Sequence, residues 1–437
     1  MTRKVVCDFC GEALTIIDGV LNYVISSMDI NDPKAMVVCK ACVIRSAELL
    51  EIINSGSASN VNCGVQTDAS ECTNSIYLPK NHKLFTPTYI YNNLREYVVG
   101  QDYFLKDLSL WAYWHLKRLS MINEGVPEEK LPPKINLWAI GPTGVGKTLS
   151  FIRLSKLIDI PIIISDTTIL TEAGYVGQDV EDVLRQLVVA AGGNISKAMC
   201  GMVVLDEMDK LATKQTNGRD VSGEGVQQAL LKIVEGTENS VVTLSNKSNK
   251  QGANNSTIEL NTQNIVFAAC GAFTGLKSVM NENNSAVGFR AKQLSEDDRE
   301  NVAYTLPNDC DLNEDLIRYG MIPELLGRFQ MKSILQPLNY ESLKRIMTEP
   351  KNSIIKMEVS RFQAEGIDLI VEESAMNIWA KAALKKKIGA RGLATEISRT
   401  LRDVEFNYFA TGELAEVRVY AEADGPIRIK TKKKVKA

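Results

Sequence analysis

Gly141-Pro142-Thr143-Gly144-Val145-Gly146-Lys147-Thr148 has the spacing G-x-x-x-x-G-K-[ST], the pattern that lets a loop cradle phosphate. Glycines at 141, 144 and 146 allow backbone N–H groups to turn inward onto phosphate oxygens. A helix starting there adds the positive end of its dipole. Lys147 can reach the β/γ phosphates of ATP and Thr148 can hold Mg²⁺, and Leu149 closes the nucleotide-binding stretch. Further on, Met202-Val203-Val204-Leu205-Asp206-Glu207 is an apolar run ending in two carboxylates. After a phosphate loop this reads as the Walker B pattern. Asp206 would complete the Mg²⁺ shell, and Glu207 would orient and deprotonate the attacking water. Read alone, the pair could equally be an acidic helix N-terminus, since Asp209 and Lys210 follow.

A second chemistry sits at the start of the chain. Cys7-Asp8-Phe9-Cys10 and Cys39-Lys40-Ala41-Cys42 are two C-x-x-C knuckles separated by 28 residues. Four thiolates can enclose one Zn²⁺ and fold a unit too small for a sufficient core. The gap is longer than the roughly 15–20 residues of an ordinary ribbon. Residues 1–53 carry five Lys/Arg against seven acids, and a Zn(Cys)₄ centre adds negative charge. That favours protein contacts over nucleic-acid phosphates. Cys63 and Cys72 have no knuckle and read as free thiols.

The elements that must hold these groups follow from pattern. Ile135 to Ile140, mostly apolar with Trp138, reads as a buried strand entering the phosphate loop, and Leu149 to Leu157 as the helix leaving it. Further strands are expected at 161–165, 202–206 and 264–270, with helices alternating, which predicts an α/β fold with a parallel sheet covered on both faces. Thr86-Pro87 marks a helix start. Residues 239–262 read as an exposed loop or hairpin. From about 336 the pattern turns helical, with a late alternating stretch from Ala415 to Ile429, predicting a small α+β lid domain. The basic tail Lys430 to Ala437 reads as a frayed, solvated end. The expected organisation is a zinc-binding module at 1–53, a Ser/Asn/Gly-rich linker at 54–84, a large ATPase domain at 85–335 and a small domain at 336–437.

Bulk properties narrow the setting. The chain of 437 residues, 45% hydrophobic, 24% charged and with net charge −3, is an ordinary globular composition with no global pull toward nucleic acid. No apolar run is long enough to span a bilayer, and the N-terminus lacks a signal-peptide core. A cytoplasmic protein with no membrane partner is expected, its nine cysteines serving as metal ligands or inert thiols rather than disulfides.

Taken in order, these motifs resemble the ClpX family of AAA+ unfoldases over nearly the whole chain. The resemblance includes the zinc module, Tyr97-Val98-Val99-Gly100-Gln101, the phosphate loop, Gly174-Tyr175-Val176-Gly177, Leu205-Asp206-Glu207-Met208-Asp209-Lys210, the run from Arg219 to Lys232, Gly271-Ala272-Phe273, Ile322-Pro323-Glu324-Leu325-Leu326-Gly327-Arg328-Phe329 and Gly389-Ala390-Arg391-Gly392-Leu393. It implies an AAA+ fold and a homo-hexamer that threads unfolded or tagged proteins through its pore, with adaptors, into a ClpP-type peptidase. Arg328 looks like the arginine finger acting on a neighbouring subunit's nucleotide, and Arg391 like the sensor 2 arginine of its own. With Glu207 they form the catalytic set the resemblance implies. Val98 and Val99 resemble the pair flanking the adenine, and Tyr175 and Val176 the pore-loop grip. Gly218 to Gly225 resembles the mobile second pore loop.

Three departures stand out. The family's basic Arg-Lys-His loop is replaced by Asn246 to Asn255. The peptidase-docking Ile/Leu-Gly-Phe tripeptide appears as Val287-Gly288-Phe289. The zinc module is enlarged. A stand-alone remodeller without peptidase is therefore a second reading, and a zinc-containing nucleic-acid-binding NTPase a third, which the acidic zinc unit and Tyr175 oppose.

Overall fold

Every second residue of the central strands points to the opposite face of a sheet, and here both faces are apolar. The computed structural model describes residues 76–171, 178–212, 221–237, 240–244, 256–276, 312–422 and 425–434, and two short strands, β1 (Tyr23–Ile25) and β2 (Val37–Cys39). In β3 (Leu137–Ile140), β7 (Met202–Asp206) and β10 (Val266–Gly271), Leu137, Ala139, Met202, Val204, Val266, Ala268 and Cys270 enter one core. Trp138, Ile140, Val203, Leu205, Phe267 and Ala269 enter the other. Strands buried on both sides lose the polar alternation of a half-exposed sheet, which is why they read as continuous apolar runs.

Five strands make this sheet, in the order β11-β3-β10-β7-β4, with β4 at Ile162–Asp166 and β11 at Met331–Ile334. All pairings are parallel. Four of the strands match the sequence reading; β11 was not foreseen, because Met331-Lys332-Ser333-Ile334 is short and half polar, as an edge strand tolerates. One face is covered by α1 (Pro87–Arg95), α2 (Asp102–Asn123) and α3 (Lys147–Leu157). The expected start of α1 is present: Thr86 Oγ1 accepts the Tyr89 N–H at 3.2 Å, with Pro87 in the first turn. The other face carries α4 (Glu181–Ala190), with the short α5 (Ile195–Ala198) packed beside it, and α6 (Val221–Glu235), α7 (Leu312–Tyr319) and α8 (Pro323–Gly327).

Three connecting regions take local structure. Before α4, Leu170–Thr171 (β5) and Gln178–Asp179 (β6) pair in parallel, bracketing the segment that carries Tyr175 and Val176, which itself lies outside the described residues. Helix α6 already begins at Val221, so the second half of the expected mobile loop Gly218 to Gly225 is helical. A Cβ on Gly223 would meet the Leu211 carbonyl oxygen at 2.6 Å, which explains the glycine by close packing rather than mobility. The hairpin expected in 239–262 is present as β8 (Ser240–Leu244) and β9 (Ser256–Leu260).

The C-terminal part is a small domain of α9 (Tyr340–Thr348), α10 (Ile354–Ala364), α11 (Glu373–Lys386) and α12 (Ala390–Tyr408) on a three-stranded sheet, β12 (Asp368–Val371), β13 (Leu414–Ala421) and β14 (Ile427–Lys433). The tail expected to fray is ordered through Lys433: β14 pairs antiparallel with β13, and Lys433 reaches Glu413 at 3.1 Å. Opposite charges across the pair turn a basic run into an edge strand. Residues Asn74–Ala437 form one compact unit and Met1–Thr73 another, in which β1 and β2 pair antiparallel.

Candidate nucleotide site

The phosphate loop leaves β3 at the carboxyl edge of the sheet, where Gly141 N–H donates to the Gly271 carbonyl of β10 at 3.2 Å. Gly144 and Gly146 have φ of +77° and +106°, left-handed values that only glycine adopts freely. Gly146 caps α3, leaving the first N–H groups of that helix free at the loop. Lys147, the first helical residue, is buried, and its ammonium donates only to the carbonyls of Gly141 and Pro142. Desolvation pushes its pKa down, partly offset by Cys270, Asp206 and Asp209, while Arg391 pushes the same way as burial. Among the described residues Lys147 has no ion pair, so a buried cation faces the cleft with no carboxylate in direct contact. That is the condition a bound phosphate relieves.

The cleft itself has a volume of about 280 Å³. Its walls include Val98, Val99, Thr143 through Leu149, Asp206, Glu207 and Arg391. These are sequence-predicted residues brought together from four separate stretches. Thr148 Oγ1 donates to Asp206 Oδ2 at 2.8 Å, placing a hydroxyl and a carboxylate side by side as the hard oxygen donors Mg²⁺ takes. Asp206 Oδ1 also accepts the Glu207 N–H at 2.9 Å. Glu207 has φ +62°, a conformation that costs a residue with a Cβ about 1 kcal/mol or more. The residues present therefore fit a nucleoside triphosphate with its magnesium ion.

The small domain closes the cleft. Ala390 N–H donates to the Gly144 carbonyl at 3.0 Å, and Arg391 follows in the first turn of α12. Ile346 of α9 and Tyr97 also line the space; no motif pointed to Ile346, which arrives only through tertiary packing. Asp209 and Lys210 were visible in the sequence but given no role. Asp209, almost fully buried, accepts the Ala272 N–H at 3.1 Å and the Lys210 ammonium at 2.9 Å. It thus ties the segment after β7 to the end of β10. Near the end of β10, Cys270 is fully buried, and burial holds its thiol well above the usual range.

Arg328 does not enter this cleft. It lies just after α8, and its guanidinium pairs with Glu235 at the end of α6. Cys39 ends β2; Cys7, Cys10, Cys42, Tyr175, Val176, Val287, Gly288 and Phe289 lie outside the described residues. Among the described residues no helix is long and apolar enough to cross a membrane.

A five-stranded parallel sheet with this cleft and a small α+β domain over it defines an AAA+ P-loop ATPase. Residues 132–332 match the family described as AAA domain (Cdc48 subfamily), and residues 338–420 the C-terminal, D2-small domain, of ClpB protein. The ATP-dependent Clp protease ATP-binding subunit ClpX of Borrelia duttonii (strain Ly) is 38% identical over 342 residues, 76% of this chain and 77% of that protein. The protein of the same name from Bacteroides fragilis (strain YCH46) is 35% identical over 407 residues, 92% of this chain and 90% of its own. The chain belongs to the ClpX family of AAA+ unfoldase ATPases.

Proposed function

We propose that the chain is the motor subunit of a homo-hexameric ring that unfolds proteins and feeds them to a ClpP-type peptidase. The observation that carries the ring is the separation of Arg328 from its own cleft. A cleft holding Lys147, Glu207 and Arg391 but lacking Arg328 is one that a neighbour's arginine can complete, and a trans-acting arginine supplies charge stabilisation only in an assembly. Within each cleft the loop amides and Lys147 would bind the phosphates, and Thr148 and Asp206 would hold Mg²⁺, whose charge would offset that of the phosphates. Glu207 accepts the proton of the attacking water. Arg391 reports the nucleotide to the small domain, while Val98 and Val99 flank the base.

Substrate handling is assigned to Tyr175 and Val176, whose bulk grips a chain with little sequence selectivity. Peptidase docking is assigned to Val287-Gly288-Phe289. Cys7, Cys10, Cys39 and Cys42 are assigned one Zn²⁺ in a module of residues 1–53, joined to ATPase domains of 85–335 and 336–437 by a stretch read as a linker, 54–84, of which Ile76, Tyr77 and Leu78 pack against the large core. The reading places the ring in the cytoplasm, working with adaptors on tagged or unfolded proteins. Glu207→Gln provides the test. It is expected to bind ATP, assemble and trap substrate while its ATPase falls by about 10²-fold or more. Turnover near the wild-type rate would remove Glu207 from the base role.

A further inference from the structure

Arg328 is held at two points by residues that no motif singled out. Asn136 stands just before β3 and is 2% exposed. Its side-chain Nδ2 donates to the Arg328 carbonyl at 2.8 Å, and its Oδ1 accepts the Phe267 N–H of β10 at 2.9 Å. Its own backbone N–H donates to Gln330 Oε1 at 3.0 Å, and its carbonyl accepts the Met331 N–H at 3.1 Å. The buried amide therefore has partners at both ends, and three of its four contacts go to residues 328–331. Next to it, the Phe329 ring packs edge-on against Trp138 of β3, with centroids 4.9 Å apart. The second point is the guanidinium, which Glu235 pairs from the end of α6.

We propose that Asn136 and Glu235 are positioning residues for Arg328, Asn136 fixing its main chain against the strand that carries the phosphate loop and Glu235 pre-ordering its guanidinium at the domain edge. The proposal rests on the reading of Arg328 as the arginine that completes a neighbour's site. An arginine side chain is flexible, and orienting it at the moment of reaction costs entropy that a pre-formed pair has already met. Both partners are half exposed, so the pair is weak enough to be exchanged for a phosphate. Fixing the main chain from β3 also gives the trans-acting residue and the subunit's own phosphate loop one rigid support, Asn136 at one end of the strand and Gly141 just beyond the other.

A double-mutant cycle on assembled rings tests this. Glu235→Ala, at an exposed site, is expected to lower kcat for ATP about fivefold with KM unchanged. The same change in an Arg328→Ala background is expected to do nothing further. Glu235→Asp, which keeps the carboxylate, should recover part of the rate. Asn136→Asp keeps the acceptor for Phe267 but removes the donor to Arg328, and should likewise lower kcat and not KM. If that variant fails to fold, the Glu235 cycle decides alone. Additive losses from Glu235→Ala and Arg328→Ala, or an effect confined to KM or ring assembly, overturn the positioning role. If Arg328→Ala itself keeps full ATPase in assembled rings, the reading of Arg328 fails instead, and the two failures are told apart by that single variant.

Discussion

Gly144 and Ala390 are joined by a backbone hydrogen bond, the Ala390 N–H donating to the Gly144 carbonyl at 3.0 Å. The phosphate loop of the large domain and the first turn of α12 in the small domain thus share one contact, immediately before Arg391. The contact is a direct link from the phosphate loop to the small domain.

Gly389 makes the contact possible and is the place to break it. Its φ is +60° with ψ −145°, a region open essentially to glycine alone. A Cβ there would lie 2.7 Å from the Gly144 carbonyl oxygen and 2.8 Å from that of Thr143. Gly389→Ala should therefore weaken ATP binding at least tenfold, read by titration with a fluorescent nucleotide. Gly412→Ala is the control: it also has positive φ, +68°, but open space around it. It should cost about 1 kcal/mol of stability and leave binding unchanged. Equal effects of the two variants on binding would sink the idea that the contact matters.

Acid should destabilise the fold through a buried basic cluster beneath the sheet. His115 is fully buried, its Nε2 on the Cys200 carbonyl at 2.8 Å. Burial holds its pKa down at about 4, opposed by the Cys200 hydrogen bond and reinforced by Lys134 and Arg118. The unfolded imidazole titrates near 6.5, so between pH 6.5 and 4 the unfolded chain binds a proton that the folded one refuses. Stability therefore falls as pH drops through that window, by about 3 kcal/mol at most. Lys134, pushed by burial and then by Arg118 to about 7, acts in the same direction higher up, stability rising from pH 7 toward 10.5. Melting temperature against pH is the measurement. His115→Gln, which can keep a donor toward Cys200, should flatten the slope between pH 6.5 and 4; parallel curves would assign the acid loss to other groups.

What was legible in the sequence was whatever depends on neighbours along the chain. The phosphate loop, the Asp206–Glu207 pair and the Thr86 cap are local patterns, and four of the five strands of the large sheet are apolar runs bounded by turns. The order of those strands, 5-1-4-3-2 along the chain, was not legible, because parallel pairing carries no local mark. Nor were Ile346 and Asn136. One is an ordinary helix position that packing brings to the cleft. The other is a polar residue whose value comes wholly from partners at 267 and 328–331. The ordering of Lys430–Lys433 in β14 was missed for the same reason, since Glu413 and Glu416 face it only after the strands pair.

The cysteine knuckles carry a prediction that needs only the whole chain. One zinc per chain is expected, bound through Cys7, Cys10, Cys39 and Cys42, and Cys39→Ser should release it. Metal analysis after dialysis reads the stoichiometry, and a colorimetric chelator reads the release. A zinc-free wild-type protein would remove the metal from the assignment.

The tripeptide Val287-Gly288-Phe289 decides between peptidase motor and stand-alone remodeller. Valine stands where the family pattern has isoleucine or leucine, and one methylene fewer at an apolar anchor costs about 1 kcal/mol. In a ring the tripeptide is repeated on every subunit, and simultaneous engagement by linked sites can offset a weak single contact. Docking should therefore survive the valine but not the loss of the ring of Phe289, the larger apolar group. Phe289→Ala should keep ATPase and unfolding of a fluorescent substrate within about twofold of wild type, as expected of a change outside the cleft and the pore grip. Degradation of the same substrate with a ClpP-type peptidase added should be abolished, and Val287→Ile should raise the apparent peptidase affinity by up to about tenfold. Wild-type rings that unfold the substrate yet never stimulate its proteolysis at any peptidase concentration would establish the remodeller. If Phe289→Ala loses unfolding as well, the tripeptide supports the ring's own structure and peptidase docking must be sought elsewhere.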